Sequence, residues 1–343
     1  MDQSALMSRA DDLSKFGLGY TAPNPIVGCI IVDSNNNVIA EAFHNGGPHA
    51  ESKAINSIEV VPSDATLFTT LEPCDHYGKT EPCSDLIIKS GIKNVIYSIT
   101  DPNPIAQGGS KKLRDAGLNV TSGVLTEKVE FTNRHWLQKI KTGRPYFTWK
   151  IAMTLDGKIA AADQSSKWIT SEQSRDDVAR LRSQVDAIIT STGTVLADDP
   201  ELTSKGIGKD PAIFVVGKRE ISSNSKLIKR GADLTLIKDY EVNNLITELN
   251  KRGFNRVMVE AGPALISSLL KVGVVDEIIL YQAPTLLGDG VSFVSPLGIN
   301  TINDRIDFEV KEVDHKHSTM GRFEDQNRDV IEYLVIAKFS TYE

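Results

Sequence analysis

The apolar positions of this 343-residue chain fall into short runs and helical stripes that alternate along its length. A stripe over residues 4–16 has helical spacing, and the unbroken apolar run 26–32 reads as a buried strand. A second strand over 38–43 follows a turn at 35–37. Past Gly46-Gly47-Pro48 a helix starts near His49 and runs to about residue 58. A strand over 65–71, a helix over 83–89, a strand over 95–99 and a helix over 110–116 closed by Gly117 follow. Strands and helices in this rhythm predict an α/β layer with a parallel or mixed sheet. A helix over 128–141 ends at Thr-Gly-Arg-Pro, 142–145, because Gly just past a helix and Pro soon after it are stop signals.

The boundary between two domains, 1–144 and 145–343, is expected at that stop, since a chain this long exceeds what one core usually organises. The second part restarts with a strand over 146–152 and closes with one over 331–339. Between them the pattern predicts strands at 187–190, 212–216, 257–260 and 277–282 and helices over 172–184, 243–251 and 264–272. This is a second α/β domain. The polar stretch 315–329 reads as an exposed loop, in which His315 and His317 have no motif around them.

Composition narrows the classes. A hydrophobic fraction of 40% with ordinary charge content is globular. The net charge of -7 argues against a non-specific polyanion-binding surface, hence against nucleic acid as partner. No run approaches the length of a membrane helix, and the first residues lack a signal-type apolar stretch. Three cysteines do not suggest a disulfide framework, so a reducing, cytoplasmic setting is expected.

The strongest chemical signal is Pro48-His49-Ala50-Glu51, then Glu72-Pro73-Cys74, then Pro82-Cys83. This is the order of the zinc nucleobase deaminases, with eight residues rather than two between the cysteines. One imidazole and two thiolates, His49, Cys74 and Cys83, give a tetrahedral Zn2+ three ligands and leave a fourth position for water. Glu51 is the candidate proton carrier. Residues two apart point to nearly opposite sides of a regular helix, so His49 and Glu51 share a site most readily at a helix entry. Each of these residues alone is more often structural than catalytic; their joint order is what counts. Cys29, inside a strand run, reads as a small core residue.

The longer string from Thr70 to Cys83, T-L-E-P-C-D-H-Y-G-K-T-E-P-C, resembles the bifunctional deaminase–reductases of riboflavin biosynthesis. Pro23-Asn24-Pro25, Val27-Gly28 and Asp101-Pro102-Asn103-Pro104 support the resemblance, which continues through the second half. It implies a cytidine-deaminase-like α/β/α domain followed by a dihydrofolate-reductase-like α/β domain. The first would deaminate a small phosphorylated pyrimidine, 2,5-diamino-6-ribosylamino-4(3H)-pyrimidinone 5′-phosphate. Asn24, His44, His76, Lys79, Asp101 and Asn103 match its pocket positions; for Asn24 and Asn103, turn chemistry beside proline is the ordinary alternative. The loop between His44 and His49 is shorter than the family pattern.

In the second half, Glu260-Ala261-Gly262-Pro263 before an apolar helix is a strand, turn and helix entry able to face an anion, or an ordinary tight connection. There is no G-x-G-x-x-G. Ser165-Ser166-Lys167-Trp168-Ile169-Thr170-Ser171, Thr194 to Pro200 and Val259 to Pro263 resemble the family's reductase domain, which implies NADPH and reduction of the ribosyl chain to ribityl. The cofactor positions are Ala152, Trp168, Thr194, Asp198, Gly262, Pro263, Ala264, Leu265, Ile266, Ser267 and Ser268. The substrate positions are Ser166, Arg182, Leu202, Lys205 and Glu260. Lys205 replaces an expected arginine, and Gly217-Lys218 an expected Asp-Ser pair. These departures keep open a deaminase whose second domain binds nucleotide without reducing. The family implies a homo-oligomer.

Overall fold

A computed structural model describes residues 2–78, 80–167, 169–316 and 330–336, giving backbone alone for 312–316 and 330–336. Lys79, Trp168 and His317 lie outside the described residues. The chain divides into two compact units, Met1–Arg144 and Pro145–Glu343.

In chain order the first unit comprises α1 (Gln3–Ser14), β1 (Gly28–Val32), β2 (Val38–Phe43), α2 (Ala50–Asn56), β3 (Thr66–Leu71), α3 (Cys83–Ser90), β4 (Asn94–Ile99), α4 (Gly109–Asp115), β5 (Asn119–Ser122), α5 (Thr126–Thr132) and α6 (Arg134–Thr142). The sheet runs β2-β1-β3-β4-β5, antiparallel about β1 and parallel from β3 to β5. Strand side chains alternate between faces. Ile30 and Val32 therefore pack against Leu6, Met7 and Ala10 of α1, while Cys29 and Ile31 join Ala50, Ala54, Ile87 and Leu113 of α2, α3 and α4. The result is an α/β/α sandwich. Helix α1 lies so close to β1 that a Cβ on Gly28 would fall 1.9 Å from the Ala10 carbonyl oxygen.

The second unit comprises β6 (Tyr146–Thr154), β7 (Lys158–Ala160), α7 (Glu172–Ser183), β8 (Ala187–Ser191), α8 (Thr192–Asp198), β9 (Ala212–Val216), α9 (Lys226–Lys229), β10 (Leu234–Ile237), α10 (Val242–Lys251), β11 (Arg256–Val259), α11 (Pro263–Val272), β12 (Val275–Ala283), β13 (Val291–Ser292), β14 (Glu309–Lys316) and β15 (Val330–Ile336). Its main sheet runs β10-β9-β8-β11-β6-β12-β15-β14. Pairing is parallel from β10 to β12 and antiparallel over the last three strands. Parallel strands present their carboxyl ends on one edge, where open α/β sheets hold ligands.

Some expectations change. The helix expected over 128–141 is two helices, because Asn133 leaves helical geometry at φ -91°, ψ 8°. Residues 315 and 316, expected in a loop, continue β14, and the rest of 317–329 lies outside the described residues. Helix α8 and strand β5 had no counterpart in the pattern.

Candidate metal centre and active sites

His49 is the N-cap of α2, with extended backbone (φ -64°, ψ 159°), and Glu51 lies in that helix's first turn. The helix entry therefore lets both residues face one place. Cys74 follows β3 by three residues, and Cys83 opens α3. The ligand atoms of His49, Cys74 and Cys83 all lie within 4.8 Å of one another. His49 Nδ1 is 3.3 Å from Cys83 Sγ and 3.5 Å from Cys74 Sγ. A tetrahedral zinc held by nitrogen at about 2.0 Å and sulfur at about 2.3 Å separates those donors by about 3.5 Å. The donor set fits zinc.

The electrostatics suit thiolate formation. The Cys83 thiol facing Cys74 draws the Cys74 thiol down to about 4 despite burial, aided by His49 and the Cys83 backbone N–H. The same contact and burial push Cys83 up, so Cys74 ionises first. Glu51 is 3% exposed, and burial raises its carboxyl. Thr69 donates to its Oε1 at 3.2 Å, while Oε2 lies 3.6 Å from Cys83 Sγ.

His44 is brought beside this cluster. Its ring meets that of His49 edge-on at 5.5 Å, and its Nδ1 is 3.2 Å from the Pro48 carbonyl oxygen. The shortened loop holds it there: Gly46 turns at φ +86°, where a Cβ would fall 2.6 Å from the Tyr20 carbonyl oxygen. His44 Nε2 and His76 Nδ1 are buried with no hydrogen-bond partner among the described residues. Buried Asp101 has its carboxyl raised by desolvation and accepts from Asn103 N at 2.8 Å. Asn103 Oδ1 in turn accepts from Ile105 N at 3.2 Å, the turn-forming contact expected of an Asn in such a loop. Asn24 lies in the turn before β1, its N–H donating to Thr21.

Behind the cysteine loop is a network the pattern did not reveal. Lys112 of α4 places Nζ 2.7 Å from both Asp75 Oδ1 and Asp85 Oδ1. Glu72 accepts from the backbone N–H groups of Asp101 and Ser110, at 3.2 and 3.0 Å. No local motif marks these residues; they are 27 or more positions from the groups they hold.

In the second unit, Glu260 follows β11 and meets Arg182 of α7 through two parallel hydrogen bonds. Lys150 of β6, which the pattern also missed, is 3.7 Å from Glu260 Oε2. Burial alone would raise Glu260, but the Arg182 and Lys150 charges outweigh it and bring the carboxyl to about 2. Leu202 is buried at φ +53°, and the next residue's carbonyl accepts from Arg182. Ser166 Oγ donates to Asp198 Oδ1 at 3.2 Å. Lys205 turns to Asp176 at 2.9 Å on the surface.

Thr194 and Gly262 meet across the edge formed by β8 and β11: Gly262 N donates to Thr194 Oγ1 at 3.2 Å. Gly262 caps α11 and Pro263 occupies its first turn, leaving first-turn N–H groups near Ala264 and Leu265 at the helix end. Ile266 is instead in the core, Ser267 bonds Ser295, and Ser268 Oγ bonds back to Ala264. Ala152 pairs with Tyr281 across β6 and β12. Gly217 has a geometric cause: φ is +135°, and a Cβ would fall 2.3 Å from Thr192 Oγ1. Exposed Lys218 lies 5.8 Å from the Tyr240 ring centroid, and Arg219 lays its guanidinium over Gly193.

A His/Cys/Cys cluster able to hold zinc, at a helix entry beside a buried acid on an α/β/α sandwich, is the arrangement of a zinc-dependent deaminase. Residues 1–99 match the cytidine and deoxycytidylate deaminase zinc-binding region, and residues 145–321 match the RibD C-terminal domain. The chain belongs to the RibD family of riboflavin biosynthesis proteins, which couple a zinc-dependent deaminase domain to an NADPH-dependent, dihydrofolate-reductase-like domain. It is 40% identical to riboflavin biosynthesis protein RibD of Mycobacterium tuberculosis over 86% of this chain and 89% of that protein. The Aquifex aeolicus RibD is 36% identical over 90% of this chain and 94% of its own. The crystal structure of a diaminohydroxyphosphoribosylaminopyrimidine deaminase/5-amino-6-(5-phosphoribosylamino)uracil reductase from Thermotoga maritima superposes with a TM-score of 0.86 at 33% identity, covering 98% of each chain. Among the described residues, no helix is long and apolar enough to cross a membrane.

Proposed function

We propose that the first unit removes the 2-amino group of 2,5-diamino-6-ribosylamino-4(3H)-pyrimidinone 5′-phosphate, and that the second reduces the product's ribosyl chain to ribityl with NADPH. The observation that carries this reading is the His49–Cys74–Cys83 cluster with the Glu51 carboxylate against it. Those three residues would hold zinc, which when bound acts as a Lewis acid and brings the pKa of water toward neutrality. Glu51, steadied through Oε1 by Thr69, keeps Oε2 toward the cluster. It takes the proton of the attacking water and delivers it to the ring nitrogen and the departing ammonia. His44, His76, Asn24, Asp101 and Asn103 line the pyrimidine pocket, and Lys79 meets the phosphate.

In the second unit NADPH supplies a hydride. Ala152, Trp168, Thr194, Asp198 and 262–268 contact the cofactor, the α11 entry offering the N–H groups of Ala264 and Leu265 while the Ile266 side chain stays in the core. Lys218 and Arg219, which have no ion-pair partner among the described residues, supply positive charge for its 2′-phosphate. Ser166, Leu202, Lys205 and the Arg182–Glu260–Lys150 group hold the substrate's sugar and phosphate. Three cysteines outside any disulfide suit work in the reducing cytosol, and the family resemblance supports a homo-oligomer.

The test is to incubate the zinc-loaded protein with the diaminopyrimidine and follow products by mass spectrometry, without and then with NADPH. Ammonia release first and cofactor oxidation second are expected. An unchanged pyrimidine would end the first assignment, and unspent NADPH with the deaminated compound would end the second.

A further inference from the structure

We infer that Lys112 is a positioning residue that keeps the two cysteine ligands at zinc-binding distance, acting through Asp75 and Asp85. This rests on reading His49, Cys74 and Cys83 as the zinc site. Eight residues separate the cysteines, so their sulfurs converge only if the ends of that excursion are fixed. Asp75 directly follows Cys74, and Asp85 comes two residues after Cys83. A single ammonium 2.7 Å from an oxygen of each carboxylate ties both ends to α4.

The rest of the network makes this tie rigid. Ser84 Oγ donates to the same Asp75 oxygen at 2.8 Å, and Tyr77 donates to the other Asp85 oxygen at 2.9 Å. Helix α4 is itself pinned under the loop. A Cβ on Gly109 would fall 1.8 Å from the Pro73 carbonyl oxygen, and Asp75 N donates to Ala106 O at 3.0 Å. Lys112, Asp75 and Asp85 side chains are 34%, 27% and 19% exposed, against 80% and 63% for the neighbouring Lys111–Asp115 pair. The Lys112 contacts are therefore the ones solvent screens less. Removing the ammonium leaves two carboxylates converging on one point, and their repulsion pushes the two cysteine segments apart.

Metal ligands tolerate displacements of only about 0.2 Å, and loss of the groups that orient them typically weakens metal affinity by about 10- to 100-fold. The experiment is release of zinc from the intact holoprotein to a chromophoric chelator in excess, for wild type, K112M, K112R, D85N and the K112M/D85N pair. K112M is expected to release zinc about tenfold or more faster, K112R close to wild type, and the pair no faster than K112M alone. A purely structural role would lower the melting temperature and leave the release rate unmoved. Wild-type release rates in K112M and D85N overturn the inference while leaving the zinc site standing. A wild-type protein that purifies and reconstitutes without zinc removes the site and this inference together. Should K112M not fold, D85N, which removes one arm only, decides by the same rate.

Discussion

Arg182 grips Glu260 with Nε 2.7 Å from Oε1 and Nη2 3.0 Å from Oε2, joining residues 78 positions apart at the carboxyl edge of the second sheet. A planar guanidinium matches a carboxylate in this two-point fashion where an ammonium does not. Both side chains are largely removed from water, at 18% and 9% exposure. Removing one member of such a pair leaves the other charge without its main partner, at a cost of about 3–5 kcal/mol. Arg182→Met is therefore expected to lower unfolding stability by that amount in urea titration and to raise the substrate KM of reduction. Arg182→Lys should recover part of the stability and less of the binding.

The same carboxylate gives stability a pH dependence of definite sign. Glu260 is lowered from 4.5 to about 2 by its cationic neighbours, so the folded state favours the ionised form. Its stabilisation is fully present above about pH 4.5 and is lost as pH falls toward 2. The drop is worth about 3 kcal/mol as an order of magnitude. Unfolding free energies measured between pH 5 and 2.5 should fall less steeply in Glu260→Gln than in wild type. Equal slopes would remove Glu260 as the source.

Glu51→Gln keeps size and the Thr69 contact but loses the proton-carrying role. Deamination should drop by about 10²- to 10⁴-fold, with zinc content by atomic absorption unchanged. Substantial turnover in this variant contradicts the assignment.

Stripping metal with a chelator separates the two chemistries. Deamination should vanish and return with added zinc, while NADPH oxidation by the deaminated compound continues. The second unit's own core contains none of the three ligands, so loss of reduction on chelation would tell against this division of labour.

At the cofactor edge, Lys218→Ala and Arg219→Ala should each weaken NADPH binding by roughly fivefold, the value of about 1 kcal/mol for an exposed charge pair. NADH binding, read by the same fluorescence titration, should hardly change. Equal losses for both cofactors would place the two cations elsewhere than the 2′-phosphate.

What could be read from sequence follows a physical divide. Strands β1 and β9 and the helix entries at His49 and Cys83 carry strong local signals: apolar runs, a proline beside each ligand, a helix start. Helix α8 was invisible because Thr192, Gly193 and Thr194 are weak helix formers; Ser191 capping the Thr194 N–H sets it. Edge strand β5, Asn-Val-Thr-Ser, buries too little to show a period. Lys150 and Lys112 look like solvated lysines until tertiary contacts bring carboxylates to them from distant segments. Gly217, which stood as an unexplained departure, is required by the Thr192 side chain pressed against its backbone.

The contact between Gly109 and the Pro73 carbonyl leaves no space for even a methyl group. Vulnerability of the first active site therefore extends beyond the residues that do its chemistry. An alanine at position 109, on a helix that contributes no ligand, would act as a wedge beneath the Glu-Pro-Cys corner, and a loss-of-activity allele there would be mistaken for a simple packing defect.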